Sequence, residues 1–88
     1  MRVQILGKRW QLRFAPNMAG RGDCEPPTQP NKAIRISSTL ADEERLEVLL
    51  HELLHAAGWH IDESFVERFA TDAARVLWRL GYRDTDGN

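Results

Sequence analysis

Cysteine is all but missing from this chain: Cys24 is the only one in 88 residues. A single thiol cannot form an internal disulfide, which excludes a cross-linked secreted scaffold and favours a reducing, cytoplasmic setting. Long apolar runs are missing too. No stretch approaches the roughly 20 residues that a membrane-spanning helix needs, and the first residues, Met1 to Gly7, lack the apolar core of a secretory leader. No membrane partner is expected. Nor is there an excess of either charge, with 12 Lys and Arg against 13 Asp and Glu. The balance hides an asymmetry. Residues 1–35 carry seven cations (Arg2, Lys8, Arg9, Arg13, Arg21, Lys32, Arg35) and two acids (Asp23, Glu25), whereas residues 36–88 carry five Arg and eleven acids. The default reading is that the halves neutralise each other in the fold. A basic strand face that meets nucleic acid or an acidic partner is the alternative. The basic residues are scattered along the chain and Trp10 is the only nearby indole, so no nucleic-acid partner is expected.

What is present is an ordinary globular composition, 42% hydrophobic and 28% charged. The length suits one domain, residues 1–88. A chain of this size buries only about 60–65% of its unfolded surface, so bound metal would be a useful source of stability.

Arg2-Val3-Gln4-Ile5-Leu6 and Trp10-Gln11-Leu12-Arg13-Phe14 alternate loosely around Gly7-Lys8. They predict a β-hairpin over residues 1–14, with Val3 and Ile5 on one face, Trp10, Leu12 and Phe14 on one face, and Pro16 as its stop. Residues 15–32 hold four Pro, two Gly and two Asn without a period, which predicts a loop. A loop this long in a small domain is usually functional or mobile, and a role at the rim of a cleft is expected. Ala33-Ile34-Arg35-Ile36-Ser37 alternates again and predicts an edge strand over 33–37.

Leu46, Leu49, Leu50, Leu53 and Ala57 recur at helical steps and predict a helix over 40–57. Thr39 is the expected N-cap, Asp42, Glu43 and Glu44 crowd the first turn, and Gly58 closes the helix. Asp62 then caps a second helix over 62–80 with an apolar stripe of Val66, Phe69, Ala70, Ala73, Val76, Leu77 and Leu80. The short connection makes the helices antiparallel neighbours. The tail, residues 84–88, is expected to fray.

Within the first helix stands His51-Glu52-Leu53-Leu54-His55. Two histidines four apart lie one turn apart on one face and can share a metal ion. Glu52 projects about 100° round the helix, beside the ion, where a carboxylate can take a proton from activated water. A catalytic zinc site uses a third protein ligand and keeps a position for water. Glu63, Glu67 and His60 are the candidates. Glu63 lies on the edge of the apolar stripe, in line with Val66 and Ala70, and Glu67 is turned a further ~40° away. The hairpin of helices brings the start of the second beside His55, which ranks Glu63 ahead of Glu67 and His60. Taken singly, each carboxylate also reads as a solvated helix-start charge. Cys24 reads as a bystander thiol, with a fourth metal ligand or an inhibitory thiolate as the alternatives.

The block from His51 to Ala70 resembles the zincin metallopeptidases of gluzincin type, and is similar to SprT-like and ImmA/IrrE-like families and to small phage and bacterial proteins. In those families the third ligand is a glutamate opening a Glu-x-x-Ala-like segment, which Glu63-Ser64-Phe65-Val66 and the residues to Ala70 match. Gly22-Asp23-Cys24 followed by Ile34-Arg35-Ile36 resembles the glycine-cysteine turn and edge strand ahead of the motif in SprT-like domains. Two features depart from larger relatives: Ile61 stands where a metzincin would place a third histidine, and the gap from His55 to Glu63 is short.

The expectation is therefore a minimal α+β zincin-like domain: a three-stranded sheet packed on a metal-bearing helix and a second, antiparallel helix. One Zn²⁺ would be held by His51, His55 and Glu63, with Glu52 as general base. The expected activity is endopeptidase hydrolysis of a peptide or protein lying along the Ile34-Ile36 strand. Tyr82, His60 and Arg83 are the candidates for stabilising the oxyanion. A non-catalytic zinc-stabilised protein-binding module is the alternative, and a metal-free adaptor with accidental histidine spacing is a further rival.

Overall fold

The computed structural model describes residues 1–84. They form β1 (Arg2–Ile5), β2 (Lys8–Ala15), β3 (Gly22–Cys24), β4 (Ala33–Ser37), α1 (Asp42–Ala57) and α2 (Glu63–Arg79). The class is α+β, as expected. The sheet has four strands rather than three, in the order β1-β2-β4-β3. β1 and β2 are antiparallel, β2 and β4 parallel, and β3 and β4 antiparallel.

The hairpin turns at Leu6 and Gly7, one residue earlier than the sequence suggests. Both residues have positive φ, 49° and 79°. That pair matches a type I′ turn, whose twist suits the flanking strands. Pro16 follows β2 directly and stops it.

Two further expectations are corrected by the sheet. The segment 15–32 is not all loop, because Gly22–Cys24 pairs with Cys24 opposite Ile34 and Gly22 opposite Ile36. Glycine and aspartate are poor strand formers, so nothing local marks β3; pairing with β4 creates it. β4 is consequently not an edge strand. It is hydrogen-bonded on both sides, and four of its five residues are buried, which suits the apolar run Ala33-Ile34 and Ile36. The edge is β3.

Trp10 and Leu12 of β2 and Ile34 and Ile36 of β4 meet Val48 and Ala56 of α1, with Val3, Ile5, Leu49 and Leu53 packed around them. Ile34 and Ile36 are wholly buried, a gain of roughly 2–3 kcal/mol each from removal from water. α2 docks through the fully buried Val66, Ala70 and Ala74, an i, i+4 row of small side chains. Its buried stripe is narrower than the sequence suggests. Phe69, Val76 and Leu80 are 49%, 57% and 69% exposed. They sit ~80–120° round the helix from Ala70, so a helix packed along that row leaves them outside.

The helix ends explain the position of His51, His55 and Glu63. Ala41, not Thr39, caps α1 and makes no side-chain bond. Thr39 instead shares a 2.8 Å hydroxyl hydrogen bond with Ser37. Asp42, Glu43 and Glu44 do fill the first turn. At the other end the Gly58 N–H donates to the Leu54 carbonyl at 2.8 Å, and the Ile61 N–H to the Gly58 carbonyl at 3.0 Å. This turn delivers Asp62, whose carboxylate accepts from the Phe65 N–H at 3.0 Å and caps α2 as expected. α2 stops at Arg79, and Gly81 has a φ of 96°, the left-handed residue that helix ends favour.

Asp84, expected to be frayed, accepts a 2.9 Å bond from Arg45, whose guanidinium also stacks 4.1 Å over Phe14. The rest of the tail, residues 85–88, lies outside the described residues. Among the described residues no helix is long and apolar enough to cross a membrane.

Candidate metal centre

α1 presents His51 and His55 one turn apart, with ring centroids 4.8 Å apart and their Nε2 atoms separated by 3.1 Å. Because α2 begins at Glu63, immediately after the Asp62 cap, the Glu63 side chain points back at that pair. Its Oε1 lies 2.9 Å from His51 Nε2 and its Oε2 3.0 Å from His55 Nε2. The three side chains form a group that could hold a metal ion. Donors bonded to one tetrahedral ion at about 2.0–2.1 Å stand roughly 3.3 Å apart, and here one atom from each residue lies within 4.8 Å of the others. Two imidazoles and a carboxylate are also a donor set that zinc accepts. The residues fit the ion.

The imidazoles are mostly covered, their side chains 20% and 18% exposed, while Glu63 is 64% exposed. One side of the centre therefore faces water. Trp59, in the connection between the helices, lies edge-on to His55 at 6.4 Å and covers part of it.

Of the other candidates the structure brings none into the group. His60 and Glu67 are exposed and lie outside it. Cys24 is also outside, and its thiol donates to the Glu25 carbonyl at 3.4 Å. Burial pushes this thiol up to about 11, helped by the negative charges of Glu52, Asp23 and Glu25, so at neutral pH it is not a thiolate. Tyr82 and Arg83 line a cavity with Asp42 and Arg45 at the first turn of α1, away from the histidines. The Arg83 guanidinium stacks on Trp78 at 3.2 Å and donates to the Trp78 carbonyl. Neither is placed to reach an oxyanion at the metal group.

Glu52 is 7% exposed. Burial pushes its carboxyl up to about 7, with the charges of Asp23 and then Glu63 adding to the effect. Around it are two residues that the sequence placed in a turn ahead of the motif without giving either a role at the site. Gly22 brings the β3 backbone against α1: a Cβ there would lie 2.8 Å from Val48 Cγ1 and 3.2 Å from Glu52 Cγ. Asp23, next along β3, holds Arg35 at 2.7 Å while its charge acts on Glu52. A glycine within a strand is the one local signal that was available, since it marks a close backbone approach.

Comparison with protein-family models, with curated proteins and with solved structures gave no significant match to this chain.

Proposed function

We propose that the protein is a zinc-dependent metallopeptidase of endopeptidase type, with His51, His55 and Glu63 as ligands and Glu52 as general base. The observation that carries this reading is the convergence of two imidazole Nε2 atoms and one carboxylate within 2.9–3.1 Å, next to a buried glutamate. Zinc held there would act as a Lewis acid, polarising a peptide carbonyl and making water more acidic. Glu52 takes a proton from the attacking water and returns it to the leaving amine as the C–N bond breaks. The water-facing side of the centre, with three protein donors, suits a catalytic rather than a closed structural site.

The free edge of the sheet beside Glu52 is β3, so an extended substrate would pair along Gly22–Cys24 and not along the Ile34-Ile36 strand. The test is cleavage of a denatured protein by zinc-loaded wild type and by Glu52→Gln, with bound metal measured in both. Loss of cleavage with metal retained supports the assignment. Equal cleavage by the two proteins removes Glu52 from the mechanism.

One observation favours a second reading, a zinc-stabilised docking module. Phe65, Phe69, Val76 and Leu80 form an exposed apolar row on α2, the two phenylalanine rings stacked 6.0 Å apart. Counting zinc ligands by X-ray absorption separates the two: three protein donors plus water fit the enzyme, and four protein donors fit the module.

A further inference from the structure

The face of the sheet turned away from the helices gathers charges that lie far apart in sequence. Val3, Ile5, Trp10, Leu12, Ile34 and Ile36 belong to the core side. Strand alternation therefore puts Arg2, Gln4, Arg9, Gln11, Arg13 and Arg35 on the other side. The register makes them neighbours: Arg2 stands opposite Gln11, Gln4 opposite Arg9, and Arg13 opposite Arg35. Arg35 is neutralised by Asp23 at 2.7 Å. Among the described residues the ion pairs leave Arg2, Arg9, Arg13 and Lys32 without an acidic partner, although other arginines (Arg21, Arg45, Arg75) have one.

At one end this face dips into a concavity of about 240 Å³ lined by Arg2, Arg9, Trp10, Gln11, Asn31 and Lys32. Its wall has three cations, two side-chain amides and no acid. Lys32 is held over the Trp10 ring at 4.8 Å, so the ammonium is positioned rather than free to sweep. Along β2 the cations continue past the concavity to Arg13, ~13 Å from Arg9 at the usual strand rise. Like charges kept this close repel one another, and an anionic partner relieves the repulsion.

The cations are scattered in sequence but adjacent on this face, and we propose, contrary to the expectation from sequence, that it is a binding surface for the phosphodiester backbone of nucleic acid, independent of base sequence. A row that outruns the concavity suits a linear polyanion, whereas a single phosphate would engage only its end. The core-side alternation leaves the face polar: Trp10, the aromatic residue lining the concavity, is 1% exposed and lies under Lys32, so its ring is not open to stack on bases or enter a bilayer. Arginine, lysine and side-chain amides are the groups that contact phosphate oxygens. The surface is separate from the metal centre and does not depend on the peptidase reading.

Fluorescence anisotropy with a labelled 20-base-pair DNA duplex, across 50 to 200 mM KCl, tests this. Four phosphate contacts give a slope of log affinity against log salt of about −3.6, and an affinity loss of roughly 100-fold over that range. Arg9→Gln and Arg13→Gln should each weaken binding and make the slope shallower by about 0.9, while Arg68→Gln on α2 changes neither. Circular dichroism melts confirm that these exposed substitutions leave the fold intact. Binding should be the same in Glu52→Gln and after chelation of metal, so failure of the peptidase reading leaves it standing. No binding at 50 mM KCl, or binding that the two β2 variants do not alter, overturns the proposal. So does binding of phosphatidylserine vesicles, lost in the same variants, without binding of DNA.

Discussion

Gly22 packs against Glu52: a Cβ added to the glycine would lie 3.2 Å from the Glu52 Cγ, and 3.1 Å from the Arg35 carbonyl oxygen on the other side. The neighbouring Val48 Cγ1 would be closer still, at 2.8 Å. β3 can lie on α1 at this depth only because residue 22 has no side chain. Gly22→Ala should therefore lower stability by about 1–3 kcal/mol through overpacking. It should also reduce any peptidase activity more than it reduces zinc binding, because the displaced group is Glu52 and not a ligand. Urea denaturation, zinc titration and turnover of the one variant check all three.

Glu52→Gln should keep zinc and lose turnover by about 100-fold or more, the usual weight of a general base. The readouts are bound metal per chain and initial rate of substrate cleavage.

The same substitution makes a separate prediction for metal-free protein. The folded Glu52 carboxyl is raised to about 7 from 4.5, mainly by burial. Between those values the folded state binds more protons than the unfolded state, so stability falls as pH rises through the window. Below it the group costs nothing; above it the full cost, roughly 3 kcal/mol, is present. In chelator, Glu52→Gln should match wild type near pH 4 and exceed it above pH 7. Denaturant midpoints at both pH values measure this, and a constant difference would contradict the assigned burial.

Metal removal should destabilise the wild type, since an ion that binds only the folded chain adds stability in proportion to the logarithm of its concentration over Kd. Glu63→Ala should lose most of that dependence, and Glu67→Ala should keep it. Melting temperatures with and without micromolar zinc distinguish the two glutamates.

Cys24 should react slowly. With its thiol raised to about 11, alkylation at pH 8 is expected to run roughly 100-fold slower than that of an ordinary exposed thiol. Unfolding in urea should restore the ordinary rate. Mass spectrometry after timed iodoacetamide treatment reads both.

The part of the fold that carries the candidate metal group was legible in the sequence because it is local. The spacing of His51 and His55 becomes a shared face through helix geometry alone. Asp62 starts α2 by capping its own first turn, and the short link from Ala57 obliges Glu63 to return beside the histidines. The chain from Thr39 to Asp42 misled at the N-terminus of α1 because Thr39 has a competing partner in Ser37, which spacing does not reveal.

Sheet order, by contrast, joins residues with no local relation to one another. Nothing in Gly22-Asp23-Cys24 signals a strand until β4 is beside it, and nothing in Ala33–Ser37 says that both its edges are covered. The sequence by itself determined the two helices, the Gly58 and Asp62 caps between them and the shared face of His51 and His55, and it ranked Glu63 first as their partner. Only the tertiary structure decided that β3 and not β4 is the edge beside Glu52, that Gly22 abuts Glu52, and that Arg2, Arg9 and Arg13 share one open face. The physical reason is that helical contacts repeat every three or four residues, whereas strand pairing is settled by burial and backbone hydrogen bonding between distant segments.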